Sequence, residues 1–193
     1  MNHQKNNANI RKLVMCAILT AIVIILQLLG SFIRFGTFSV SLVLAPIVIG
    51  AALLGPFVGM WLGFVFGLVV LMSGDAGAFL AVDVAGTVIT VLVKGSLAGL
   101  LTGLAYKAAE KINVYVATAI SAVVCPVVNT GVFLVGCKLF FMDTITEWAG
   151  GSDAVASFII FGLVGVNFLV EVGANVVLAP TVVRLLKIGK KSL

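Results

Sequence analysis

The sequence predicts an all-α integral membrane protein, a compact bundle of six transmembrane helices with both termini in the cytoplasm. Hydrophobic residues make up 62% of the 193 residues, only 10% are charged, and the mean hydropathy is +1.27. A soluble domain is about 45–50% apolar and about 25% charged, so a water-soluble protein of this composition is excluded. The apolar residues also form six long runs, and the basic residues gather on one side of them.

Five of the six runs are close to the roughly 20 residues that a helix needs to cross a bilayer, and the sixth is long enough to project beyond the bilayer or to bend at Pro180. The predicted spans cover residues 13–29, 38–54, 57–72, 82–105, 114–134 and 154–186, and the end of span five is open between 134 and 141. We expect a cytoplasmic tail at 1–12, one transmembrane domain at 13–187 and a basic cytoplasmic tail at 188–193.

The connections between the spans are short. Span one is interpreted as uncleaved rather than as a signal peptide, because it is long and no small-residue cleavage site follows it. Gly55 and Pro56 predict a tight turn that joins spans two and three into a helical hairpin. Residues 73–79 form a Gly-rich connection, and residues 142–153 form the longest and most acidic loop.

Basic residues define the orientation of the bundle. Nine of the twelve fall on the side that holds both termini: Lys5, Arg11, Lys12, Lys107, Lys111, Arg184, Lys187, Lys190 and Lys191. Because Lys and Arg favour the cytoplasmic side, both termini are predicted there. The C-terminal lysines favour contact with anionic membrane lipid, and we expect no nucleic-acid binding.

Small residues recur at helical spacing. Spans three and four contain consecutive G-x-x-x-G steps through Gly55, Gly59, Gly63, Gly67, Gly95, Gly99 and Gly103. We interpret these steps as close helix packing within the chain. Ala17 and Ala21 give span one a shallow face that suits a helix from another protein.

Polar residues inside the spans are costly and are candidates for function. Lys94 lies in span four and Asn129 in span five, and span six carries a polar stripe of Asn167, Glu171 and Asn175 at i, i+4, i+8 spacing. These groups suit a hydrogen-bonded ligand. Lys94 and Glu171 equally suit a neutralising pair, and the two interpretations are compatible.

The outer loops supply further candidates. Arg34 and Phe35 precede span two, Phe79 and Asp83 precede span four, and Trp148 precedes span six. Such residues suit either an aromatic belt at the membrane interface or a lid over a small ligand.

No pattern indicates an enzyme. The one His, His3, lies in the polar N-terminal tail, and the three Cys residues lack metal-ligand spacing. Gly189 and Lys190 are followed by Lys191, so this is not a phosphate-binding loop of the G-x4-G-K-[ST] type. We expect no catalytic residue, no metal and no cofactor, so energy for active transport would come from an ion gradient or a partner.

Short patterns occur in order along almost the whole chain. They are Ala17-x3-Ala21, the IGAALLGP segment at 49–56, Lys94-Gly95 with Ala98-Gly99, Asn129-Thr130 and Asn167-x3-Glu171. Each is weak alone, but together, with the size and six spans, they are fairly specific. The chain resembles the substrate-binding S components of energy-coupling factor (ECF) transporters, the vitamin-uptake branch of the ABC transporters.

The resemblance implies a binding and transport subunit of a bacterial plasma membrane, not an enzyme. Such a subunit binds a water-soluble vitamin or related micronutrient outside, in a pocket of outer loops and spans four to six. It then docks through the Ala17 and Ala21 face onto a transmembrane coupling (T) protein that carries two cytoplasmic ATPase subunits.

Two alternatives stay open. The chain looks most similar to the pantothenate and riboflavin type, but span two has no His and span four has Val93-Lys94 where pantothenate-type members carry Pro-Arg. The vitamin is therefore not identified. The other function class is a self-sufficient proton-coupled secondary transporter of a small polar metabolite, with Glu171 and Lys94 as a relay. Internal repeats would favour that class, and none is evident between residues 1–97 and 98–193.

Overall fold

The protein is a bundle of helices with one small strand pair. The computed structural model describes residues 2–31, 34–35, 38–39 and 43–192. Its α-helices are α1 (Asn2–Gly30), α2 (Leu44–Leu54), α3 (Pro56–Ser73), α4 (Gly77–Leu80), α5 (Val84–Ala109), α6 (Val114–Phe140), α7 (Met142–Ala149), α8 (Val155–Ser157) and α9 (Gly165–Ser192). A 3-10 turn (Ser152–Ala154) precedes α8, and a π-helix (Phe158–Val164) follows it. Strands β1 (Arg34–Phe35) and β2 (Phe38–Ser39) pair antiparallel, with Arg34 opposite Ser39.

Within the described residues, five helical segments are long and apolar enough to cross a membrane. They are Asn9–Gly30, Pro56–Ser73, Val84–Ala109, Val114–Phe140 and Ser152–Ile188. The sixth apolar helix, α2, has 11 residues. It is only about 16 Å long at 1.5 Å per residue, which is shorter than the roughly 30 Å hydrocarbon core of a bilayer. The predicted all-α membrane bundle is therefore confirmed, with five or six apolar helices.

The helix of span two starts later than predicted. Phe38–Ser39 belong to a strand, and α2 begins only at Leu44. Pro46 explains this start, because proline is tolerated in the first turn of a helix but breaks a hydrogen bond and clashes in its interior. The short helix is central, since it packs against α1, α3, α5, α6 and α9 and buries most of its side chains.

Glycines bring α3 and α5 into backbone contact. A Cβ atom built on Gly63 would overlap the carbonyl oxygen of Gly95, and one built on Gly59 would overlap that of Gly99. These two helices form the most extensive contact in the bundle. The predicted packing by G-x-x-x-G steps within the chain is confirmed.

Two connections test the loop predictions. The predicted turn before α3 is confirmed, because Gly55 has φ +106° and Pro56 is the first helical residue. The prediction of a loop at 142–153 is wrong for most of its length, because α7 occupies Met142–Ala149. Ile145 accounts for this helix, since it is fully buried in the cluster that also contains Phe79 and Phe141.

Candidate functional site

A cavity of about 90 Å³ lies inside the bundle. Its walls come from the C-terminal parts of α1, α3 and α6, the N-terminal parts of α5 and α9, the α3–α4 turn, α4 and the π-helix. The volume is large enough for several water molecules or a small ligand. The lining residues are Gln27, Phe66, Val70, Asp75, Ala76, Phe79, Thr87, Thr90, Val91, Lys94, Asn129, Thr130, Phe133, Phe141, Leu163, Val164 and Glu171.

Gln27 and Asp75 form a hydrogen bond on the cavity wall. Nε2 of Gln27 donates to Oδ2 of Asp75 at 2.7 Å, and Oγ of Ser73 donates to the same oxygen at 3.0 Å. A carboxylate only accepts hydrogen bonds, so the amide nitrogen of Gln27 must face Asp75. Oε1 of Gln27 is then left buried without a hydrogen-bond partner among the described residues.

Lys94 extends its ammonium group between two aromatic rings. Its Nζ lies 5.2 Å from the ring centroid of Phe133 and 5.8 Å from that of Phe66, within the range of cation–π attraction. Glu171, which is 1% exposed on α9, and Asp75 line the same cavity and attract this charge electrostatically. Lys94 and Glu171 therefore both lie on the cavity wall, and their direct pairing stays a prediction.

Helices α5 and α6 add two buried oxygen atoms. Oγ1 of Thr90 and Oδ1 of Asn129 have no hydrogen-bond partner within the part of the chain that the structure describes. Their residues are 4% and 5% exposed. Leaving such an atom unsatisfied costs about 1–3 kcal/mol, so a bound water or ligand that supplies the missing bond is strongly favoured.

Phe79, on α4, is an aromatic residue of the cavity wall. It makes edge contacts with the rings of Phe133, Phe141 and Trp148, with centroids 5.5, 5.0 and 5.5 Å apart. Phe79 is buried, whereas Trp148 behind it is 40% exposed. Phe79 thus lies inside the protein on the cavity wall, and its contact with Trp148 links the wall to the protein surface.

Four of the nine residues predicted to bind a ligand line the cavity. They are Phe79, Lys94, Asn129 and Glu171. These four come from three separate predicted groups: the outer loops, the ionisable residues and the amides. The spacing of these residues along the sequence does not by itself predict that they line one cavity.

The other five predicted binding residues divide into two groups. Asp83 and Asn175 are described but do not belong to the lining. The backbone carbonyl of Asp83 instead accepts hydrogen bonds from Thr87 at the start of α5, and Asn175 is buried one turn after Glu171. The side chains of Arg34, Phe35 and Asn167 lie outside the described part of the structure.

Sequence reasoning missed several lining residues, above all Gln27, Asp75 and Thr90. Gln27 gave a usable signal, since it is one of only two polar residues in the predicted span at 13–29. Asp75 gave a weaker signal in the Gly-rich connection. The hydrogen bond between them joins positions 48 residues apart, which no local pattern indicates.

Ala17 and Ala21 lie on the outer face of α1. Both are exposed, whereas Leu19, Val23 and Gln27 face the interior. The predicted shallow face is therefore accessible to a membrane-embedded partner or to lipid. Its use in docking stays a prediction.

The chemical composition of the cavity wall is typical of a small-molecule site. The described residues contain no group of three or more His, Cys, Asp or Glu side chains that could hold a metal ion. The cavity instead combines aromatic rings, hydrogen-bonding oxygen atoms and a few charges, which is the usual composition of a small-molecule site.

Comparison with known proteins identifies the family of this chain. No curated protein and no solved structure matches it. A family model described as the substrate-specific component of ECF transporters matches residues 11–183, and this segment contains every lining residue of the cavity. The chain therefore belongs to the family of substrate-specific components of ECF transporters.

Proposed function

We propose that the chain captures a water-soluble vitamin or related micronutrient, of the pantothenate or riboflavin type, and that the cavity is its binding site. The observation that carries this proposal is the set of buried oxygen atoms of Gln27, Thr90 and Asn129 without partners among the described residues. All three residues line one cavity. Polar atoms that stay unsatisfied in a helix bundle are costly, and a ligand bound among them removes that cost.

The position of the cavity supports capture from outside a bacterial plasma membrane. Gln27 lies near the end of α1 and Glu171 near the start of α9, so both are far along their helices from the chain termini. At the opposite end, Nζ of Lys187 donates a hydrogen bond to the hydroxyl group of Tyr115 at 2.9 Å. With the basic residues at that end in the cytoplasm, the cavity faces the exterior.

Delivery inward requires partners that supply energy. Family membership supports a complex with a transmembrane coupling protein and two cytoplasmic ATPase subunits. The exposed Ala17 and Ala21 face supports α1 as the helix that docks on the coupling protein. Small side chains allow two helices to approach closely through van der Waals contact alone.

Uptake into reconstituted vesicles tests this function. We expect the chain with its coupling protein and ATPases to accumulate the vitamin only when ATP is present. The chain alone should bind the vitamin without accumulating it. Accumulation by the chain alone under a proton gradient would contradict the proposal and support the secondary transporter.

A further inference from the structure

We infer that the bundle carries a defined binding site for the headgroup of an anionic phospholipid, built on Lys187, Arg184 and Tyr115. The site joins the end of α9 to the start of α6. It is separate from the cavity, since none of the three residues belongs to the cavity lining. The sequence predicts only a general attraction between the C-terminal lysines and anionic lipid, whereas the structure assigns one lipid to one place.

Lys187 and Tyr115 form the centre of the site. Nζ of Lys187 donates a hydrogen bond to the hydroxyl oxygen of Tyr115 at 2.9 Å and lies 4.7 Å from the centroid of its ring. The hydrogen bond and the cation–π contact together restrain a long, flexible side chain. Both side chains are exposed, so the restrained ammonium group is accessible from outside the protein.

This pair offers further hydrogen-bond donors at the protein surface. An ammonium group has three N–H donors, and Lys187 uses one of them on Tyr115. The Tyr115 hydroxyl group accepts that bond, and its own proton has no acceptor within the described part of the chain. A phosphate group is complementary to this arrangement, because it brings a negative charge and several acceptor oxygens to one point.

Arg184 adds a second cation to the site. It precedes Lys187 by three residues, which places both on one side of α9, and its charge acts on Tyr115. It is exposed, and a guanidinium group can bind a phosphate through two parallel hydrogen bonds. Glu110 is the only carboxylate that the structure describes at this end of the bundle, whereas further cations lie there: Arg11, Lys12, Lys107 and Lys111.

Exposed apolar side chains beside the cations favour a lipid over a soluble anion. Leu185 and Ile188 flank Lys187 on α9 and are 45% and 67% exposed, and Val116 follows Tyr115 on α6 and is 42% exposed. All three belong to helical segments that are long and apolar enough to cross a membrane. The acyl chains of a phospholipid cover such a surface, whereas a free phosphate leaves it uncovered.

Native mass spectrometry of the full chain in detergent tests the site, because it counts the lipids bound to each molecule. Dioleoyl phosphatidylglycerol and dioleoyl phosphatidylcholine are the probes, since they share acyl chains and differ in net charge. We expect one molecule of phosphatidylglycerol to bind about fivefold or more tightly than phosphatidylcholine, because basic residues near a membrane surface favour anionic lipid. The measurement does not depend on the proposed vitamin function.

Variants locate the bound lipid. Lys187→Gln should weaken phosphatidylglycerol binding about fivefold, since one Lys near a membrane surface contributes about this factor. Tyr115→Phe keeps the ring beside Lys187 but removes the hydroxyl group, and should weaken binding about threefold. Lys138→Gln is the matched control, because it removes an exposed cation from the opposite end of α6. It should leave binding unchanged.

Three results would overturn the inference. Equal binding of the two lipids would show that the site does not recognise an anionic headgroup. Equal losses from Lys138→Gln and Lys187→Gln, or no loss from Tyr115→Phe, would show a diffuse attraction instead of a site. Displacement of phosphatidylglycerol by millimolar inorganic phosphate would show that a phosphate alone is sufficient and that the acyl chains contribute nothing.

Discussion

Gly63 of α3 and Gly95 of α5 face each other so closely that a Cβ atom on either would overlap the other's carbonyl oxygen. This contact holds the two helices that supply Phe66, Thr90 and Lys94 to the cavity. Close backbone packing on one side of α5 therefore positions the polar groups on the side that lines the cavity. The shape of the cavity depends on residues that do not touch it.

The first prediction concerns this glycine contact. Gly63→Ala should lower the free energy of unfolding by about 1–3 kcal/mol, because the new methyl group meets backbone and forces the helices apart. Gly131→Ala is the matched control, since a Cβ there meets open space and alanine improves helix propensity by up to about 1 kcal/mol. Unfolding in detergent measures both, and equal stability of the two variants would contradict the packing role.

The second prediction concerns Lys94 and Glu171. Lys94→Met should cost up to about 3–5 kcal/mol of stability, the cost of breaking a buried ion pair, because it removes the cation that attracts the Glu171 carboxylate. The double variant with Glu171→Gln should lose less than the sum of the two single losses. A coupling energy of about 0.5–3 kcal/mol in a double-mutant cycle indicates direct interaction, and strictly additive losses would show that the two side chains act independently.

The third prediction separates two asparagines that the sequence grouped together. Asn129→Ala should weaken ligand binding by about 1–3 kcal/mol, because a polar group at the cavity loses its partner. Asn175→Ala should change affinity much less, since Asn175 is buried away from the cavity lining. Calorimetry on both variants measures the difference. A larger loss from Asn175→Ala would move the binding site further along α9.

The fourth prediction concerns the outer face of α1. Ala17→Leu and Ala21→Leu should abolish uptake and copurification with the ATPase subunits, because bulky side chains prevent close helix approach. Ligand binding should be preserved, since both residues lie outside the cavity lining. Ala85→Leu, on an exposed part of α5, is the control. Loss of binding with assembly intact would contradict a docking role.

Composition and spacing were sufficient to predict the helical membrane bundle. The low charge content excluded a water-soluble protein. The glycine steps predicted close helix packing, and the α3–α5 contact confirms it. The boundaries of α2 and α7 were less predictable. Pro46 delays the start of α2, and burial of Ile145 stabilises a helix in an otherwise polar loop.

The candidate site was only partly predictable for a physical reason. Ionisable residues inside spans stand out in a sequence because they are costly there, so Lys94 and Glu171 were identified. Gln27 and Asp75 form a hydrogen bond because α1 packs against the end of α3. The spacing of residues within one helix does not indicate such a contact. Asn175 lies one turn after Glu171 on the same face of α9, but only Glu171 lines the cavity.

The central claim is that the interior cavity binds a water-soluble micronutrient. The most direct measurement is mass spectrometry of compounds released from the purified wild-type chain, with Asn129→Ala analysed in parallel. We expect one small water-soluble compound at about one molecule per chain, and a marked loss of it from the variant. Equal retention by the variant and the wild type, or no retained compound together with no calorimetric binding of any vitamin tested, would contradict the claim.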